Sequence, residues 1–112
     1  MESRNEVVLT GRVAAEAQER ELPSGTVLSS WRLVVDRPAG GRRGPPGVRV
    51  PTVDALDCVV WTAALRRTVS GYQPGDVVTV EGALRRRFWR SGAGAASRCE
   101  IEVVRARRVA RG

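Results

Sequence analysis

Residues 27 to 36 read VLSSWRLVVD, and their polarity repeats every second residue. Val27, Ser29, Trp31, Leu33 and Val35 fall on one side of the repeat, and Leu28, Ser30, Arg32, Val34 and Asp36 on the other. Successive side chains of a strand point to opposite faces, so this period specifies a strand with one face buried. The first set is the more apolar and is the expected core face. Trp31 is therefore expected inside.

The same period recurs along the chain. NEVVLTGRVA (residues 5–14) reads as a strand with a bend at Gly11. ALDCVVW (55–61) sets Leu56, Cys58 and Val60 against Ala55, Asp57, Val59 and Trp61. VVTVEGALRRRFW (77–89) bends at Gly82 and puts Arg85, Arg87 and Trp89 on one face, with Phe88 on the other. RCEIEVVRARRV (98–109) turns Cys99, Ile101 and Val103 inward and Arg98, Glu100 and Glu102 outward. LPSGT (22–26) is a turn, and RSGAGAAS (90–97) is the expected hairpin turn. Between the third and fourth strands, Leu65 and Val69 stand one helical step apart before Gly71 and Pro74, which predicts a short helix. Strand, strand, strand, helix, strand, strand is the order of the OB-fold, an all-β Greek-key barrel of five strands. One domain over residues 1–112 is expected.

Residues 37–54, RPAGGRRGPPGVRVPTVD, hold four prolines, four glycines and four arginines. Such a segment cannot pack a core and is expected to be a long exposed loop. All 19 basic residues are arginine, against 12 acidic ones, for a net charge of +7. GC-rich coding accounts for arginine in place of lysine but not for the excess over acid. A nucleic acid or another polyanion is the leading partner class.

The densest charge is RRRFWRSG (85–92), where Phe88 and Trp89 sit among Arg85, Arg86, Arg87 and Arg90. Arginine beside an exposed aromatic can hold a phosphate backbone while the ring stacks on a base. Chemistry is not expected. The chain has no histidine, its two cysteines lack metal-ligand spacing, and no nucleophile or paired-carboxylate motif is present. Cys58 and Cys99 read as buried, reduced thiols. No enzyme activity, cofactor or metal is expected. No apolar run approaches the roughly 20 residues of a membrane span, and MESRNEVV lacks the apolar core of a secretory signal. A cytoplasmic, nucleoid-associated protein is expected.

EVVLTGRV, LPSGTVLSSWRLVV and DVVTVEGALRRRFW resemble, in order and spacing, the bacterial single-stranded-DNA-binding protein family. The resemblance runs from about Asn5 to Val109, and its most specific part is the Val77–Trp89 segment. It implies that Trp61 and Trp89 stack on bases; Phe88, of opposite parity to Trp89, is a further candidate whose alternatives are packing inward or covering the hairpin. Arg85 and Arg87 share the Trp89 face and Arg12 and Arg32 lie on strands, while Arg42, Arg43 and Arg49 lie on the long loop that the resemblance implies wraps the nucleic acid; as a set they are the expected lining of its path. Two further family tryptophans are replaced, one by Gly40 or Gly41 and one by Ala55, and Asp57 stands where a basic residue is common.

The expected function is binding of single-stranded DNA with little sequence preference, in replication, repair or recombination. The alternatives are an accessory factor acting through protein contacts, and RNA binding. The resemblance implies a homo-oligomer, a tetramer, with the first strand at an interface. RARRVARG (105–112) carries four arginines and no acid, so recruitment of partners through an acidic tip is not expected.

Overall fold

The computed structural model describes residues 1–38 and 44–112, apart from the side chain of Ser91. Its elements are β1 (Val7–Val13), β2 (Gln18–Glu21), β3 (Val27–Asp36), β4 (Val53–Val60), α1 (Ala63–Ser70), β5 (Val77–Ser91) and β6 (Gly94–Ala110). The strands lie in the order β1-β5-β6-β4-β3-β2, and β1 also pairs with β3. That last pairing, Arg12 with Val34 and Val13 with Leu33, closes five of the strands into a ring and leaves β2 on the outside of β3.

The alternation described above fills the barrel. Val13, Trp31, Leu33, Cys58, Val60, Val78, Val80, Ile101 and Val103 form its core, and Val69 and Tyr72 extend it at the helical end. Thr62 caps α1 by accepting a hydrogen bond from the Leu65 N–H at 3.2 Å, which satisfies one of the unpaired donors of the first turn. Val69 is the fully buried residue of that helix, and Leu65, one step earlier, packs against the core. Burial raises the Cys58 thiol to about 12, with the charge of Asp57 adding to it, so this sulfur stays protonated.

Close backbone approach explains two glycines. A Cβ at Gly82 would run into the Glu102 carbonyl, and one at Gly11 into the carbonyl of Val34. Gly82 also sits at a register shift between β5 and β6, where the strand bends.

Several expectations change. β2 is a strand that the pattern did not suggest, because QERE is exposed throughout and carries no apolar alternation. The stretch 90–97 is mostly strand: Arg90 pairs with Ala95, Trp89 with Ala96 and Phe88 with Ser97, leaving Gly92 and Ala93 to make the turn. β4 starts at Val53, so the long connection is shorter than 37–54, and Trp61 lies one residue beyond its end. Cys99 is exposed, since this part of β6 runs out past the barrel. Leu28 stands on the face opposite the expected core of its strand, and Val59 on the face opposite Cys58, yet both are buried outside the main core. Leu28 lies opposite Arg20 of β2, and Val59 borders a depression on the outer face of the sheet.

Candidate nucleic-acid interface

The outer face is organised in rows that run across the strands. Arg32 on β3 pairs with Asp57 on β4, and Cys58 pairs with Ile101, which sets Asp57 beside Glu100 on β6. Glu100 in turn pairs with Arg85 on β5. The row therefore reads Arg32, Asp57, Glu100, Arg85, with two carboxylates flanked by arginines. One row further out, Arg98 faces Arg87, and beyond that Ala96 faces Trp89.

Side-chain contacts tie the rows together. Arg32 Nε donates to Asp57 Oδ1 at 3.3 Å, and Arg98 Nη1 lies 3.9 Å from Asp57 Oδ2. Arg87 Nη1 is 3.6 Å from Glu100 Oε1, and Arg85 Nε is 3.7 Å from Glu102 Oε2. The Arg98 guanidinium stands 6.0 Å from the centre of the Trp89 ring, at the outer reach of a cation–π contact. Glu100 is almost wholly buried, its side chain 5% exposed, and among the described residues neither its Oε2 nor Arg87 Nη1 has a hydrogen-bond partner.

Two adjoining depressions form the groove. One, of about 350 Å³, is bounded by residues that include Gln18, Ser30, Arg32, Asp57, Val59, Arg98 and Glu100. The other, of about 310 Å³, is lined by Arg20, Arg87, Trp89 and Arg98. Arg98 is the wall they share.

Of the expected residues, the structure brings Arg32, Arg85, Arg87 and Trp89 to this face. Trp89 is 44% exposed, with its ring available at the outer arm of the β5–β6 hairpin. Phe88 lies on the opposite face and is 70% exposed, so it neither packs inward nor joins Trp89. Trp61 is half-buried, and continuing the β3–β4 register by one residue puts it in line with Leu28 and, across β3, with Arg20. Its carbonyl accepts a hydrogen bond from Arg66 Nη1 at 2.7 Å. Arg12 is held by Asp36 in a two-bond pair, both 3.1 Å, which raises the guanidinium pKa and holds the Asp36 carboxyl below its usual value. Arg49 is exposed in the segment before β4. Arg42 and Arg43 lie outside the described residues, as do Gly40 and Gly41.

Arg20 and Arg98 were not anticipated. Arg98 had been placed outward without a role, although its position opposite Arg87 in a hairpin was the available signal. Arg20 sits on β2, which had no strand signal at all.

A closed five-stranded barrel, a helix between its third and fourth ring strands and a basic groove across its outer face define an OB-fold module. The chain belongs to the single-strand binding protein family, whose sequence model matches residues 4–109. It is 26% identical over 90 residues to the "Single-stranded DNA-binding protein" of Streptococcus pyogenes serotype M1, covering 80% of this chain and 52% of that one. It is 24% identical over 90 residues to "Single-stranded DNA-binding protein 3" of Streptococcus agalactiae serotype V, with 80% and 62% covered. The chain thus spans about half to three-fifths of the length of these relatives. Its fold is similar to that in the "Plasmodium falciparum SSB complex with ssDNA", with a TM-score of 0.74, 21% identity and coverage of 100% and 98%. Among the described residues, no helix is long and apolar enough to cross a membrane.

Proposed function

We propose that this protein binds single-stranded DNA in the outer groove, without catalysing a reaction. The observation that carries the proposal is Trp89, exposed on a groove wall and surrounded by Arg20, Arg87 and Arg98. A base stacks on the ring while the guanidinium groups take the flanking phosphates. Stacking tolerates any base, so binding is broad in sequence. Family membership and the names of the relatives support the same reading. Work on exposed strands in replication, repair or recombination, in the cytoplasm and at the nucleoid, follows from it. The proposed contact set is Trp89, Arg85, Arg87, Arg32, Arg20 and Arg98, with Trp61 at the inner end of the groove; Arg12 and Arg49 are further candidates, as are Phe88 on the opposite face of the hairpin and Arg42 and Arg43, which lie outside the described residues. Titration of the protein with dT oligomers tests the reading through quenching of tryptophan fluorescence, of which the part lost in Trp89→Ala belongs to Trp89.

A homo-oligomer, a tetramer by family resemblance, completes the proposal. Val8 on β1 is 64% exposed and Val104 on β6 is 59% exposed, and both border one depression on the side of the barrel with Thr79 and Glu81. An apolar pair at that position suits a face shared with another copy.

A second reading has its own support. Arg32, Arg85, Arg87 and Arg98 each stand within 4 Å of a carboxylate, which weakens their pull on phosphate. An accessory factor working through protein contacts would have this feature. Millimolar affinity for DNA together with tight capture of replication proteins would select it, and RNA oligomers run beside the dT series separate RNA binding from both.

A further inference from the structure

Resting on the reading of the groove as a path for single-stranded DNA, we propose that the back of the β5–β6 arm is a second contact site, where the strand leaving the groove stacks on Phe88 between Arg86 and Arg90. Residues directly paired across a ladder share a face, so Leu84, Arg86 and Phe88 lie on the side of Ile101, Cys99 and Ser97. At Ile101 that side is barrel core. Further out the arm runs past the barrel and the same side lies open, with Leu84 47% exposed, Phe88 70% exposed and Cys99 exposed as well.

Charge decides what covers it. Arg86 Nη1 donates to Ser97 Oγ at 2.9 Å, and among the described residues neither Arg86 nor Arg90 forms an ion pair. On the groove side, Arg85, Arg87 and Arg98 each stand near a carboxylate. The back is therefore the less neutralised side of the arm. A second copy of this chain docked back to back would bring the same cations to the contact, and like charges oppose it. A single strand meets both features, with a base for the ring and phosphates for the guanidinium groups.

The fold also leaves a way round. β5 pairs on its other edge with β1 only as far as Gly82, and the Asn5 side chain extends that hold to Leu84, donating to its carbonyl at 2.7 Å and accepting from its N–H at 2.9 Å. Beyond Leu84 that edge is unpaired among the described residues. Trp89 and Phe88 are consecutive on it and face opposite sides, so a strand crossing the edge passes from one ring to the other.

The test compares dT oligomers of about 8 and about 30 nucleotides, one within and one well beyond the roughly 4–16 nucleotides that an OB-fold covers. On the unaltered chain the readout is alkylation of Cys99 by a neutral maleimide, since the Cys58 thiol is buried and stays protonated. The long oligomer is expected to slow this reaction severalfold and the short one to leave it unchanged. Phe88→Ala is expected to weaken binding of the long oligomer by at least about fivefold, the lower end of what one stacked base contributes, and to spare the short one, whereas Trp89→Ala weakens both. Cys99 alkylation indifferent to the long oligomer, or a Phe88→Ala protein that binds both lengths as tightly as the unaltered chain, overturns the second site and leaves the groove reading standing. A smaller assembly of Phe88→Ala by light scattering gives the face to another copy and overturns it too. Absence of binding to either oligomer overturns both readings.

Discussion

Arg98 stands with its guanidinium 6.0 Å from the centre of the Trp89 ring while also reaching to within 3.9 Å of Asp57. The two contacts link the exposed aromatic at the hairpin arm to the carboxylate in the groove floor. In the proposed complex a strand stacked on Trp89 would displace or slide past this arginine, which would couple ring, cation and carboxylate.

Trp89 and Trp31 should separate binding from stability. Trp89→Ala is expected to weaken dT binding by about 1–3 kcal/mol with the melting temperature nearly unchanged. Trp31 is a core residue, 6% exposed, and Trp31→Ala is expected to cost about 3–5 kcal/mol of stability. Paired oligomer titrations and thermal melts check both. Early melting of Trp89→Ala would assign that ring to the core.

Asp57 holds Arg32 and Arg98 at once, and its charge opposes phosphate. Asp57→Asn should therefore raise dT affinity at low salt, by about fivefold for one partly screened charge contact. The salt dependence should steepen as two arginines become available to phosphates. Unchanged affinity would show that the carboxylate lies off the strand's path.

How far the site could be read in the sequence follows from which signals are local. Period-two alternation placed Trp31, Leu33, Ile101 and Val103 inside, set Cys58 and Val60 on a common face, and put Arg85, Arg87 and Trp89 on one face. Those features depend on single strands, where side-chain direction is fixed by position. Arg20 and the shelter of Leu28 and Val59 depend on how strands lie beside each other, and QERE has no alternation to announce β2. The extended hairpin was hidden by the small residues of SGAGAAS, which read as a turn although most of them pair. Asp57 had looked like an obstacle to phosphate. Its partners, Arg32 across β3 and Arg98 across β6, became visible only once the register was known.

Asp76 gives the fold an acid-sensitive lock. Its carboxylate accepts the Gln73 N–H at 2.9 Å and the Gly112 N–H at 3.0 Å, with Arg108 at 3.6 Å. These contacts, the Gln73 bond first and the Gly112 bond second, hold its pKa below the ordinary carboxylate value. A lowered folded pKa means the contribution is fully present above the unfolded value of about 3.9 and is lost as pH falls through the folded one. Thermal stability should be flat in this respect above about pH 5 and decline below pH 4, and Asp76→Asn should flatten that acid limb. Melts from pH 3 to 7 read the effect. An identical acid limb in the variant would move the origin to the other carboxylates.

Val8 and Val104 should control assembly. Val8→Arg or Val104→Glu replaces an exposed apolar side chain at the side of the barrel with a charge, and light scattering is expected to show a smaller species than the unaltered protein. A monomer before any substitution would contradict the oligomer.

The central claim is that an aromatic ring and a set of arginines hold single-stranded DNA in the outer groove. Tryptophan fluorescence titration with a dT oligomer across a series of salt concentrations tests it most directly. The account predicts quenching on binding, with log affinity falling linearly in log salt at about −0.7 per phosphate contact, so that several engaged arginines give a slope of roughly −2 or steeper. Binding that leaves tryptophan fluorescence untouched, or an affinity indifferent to salt, would contradict it.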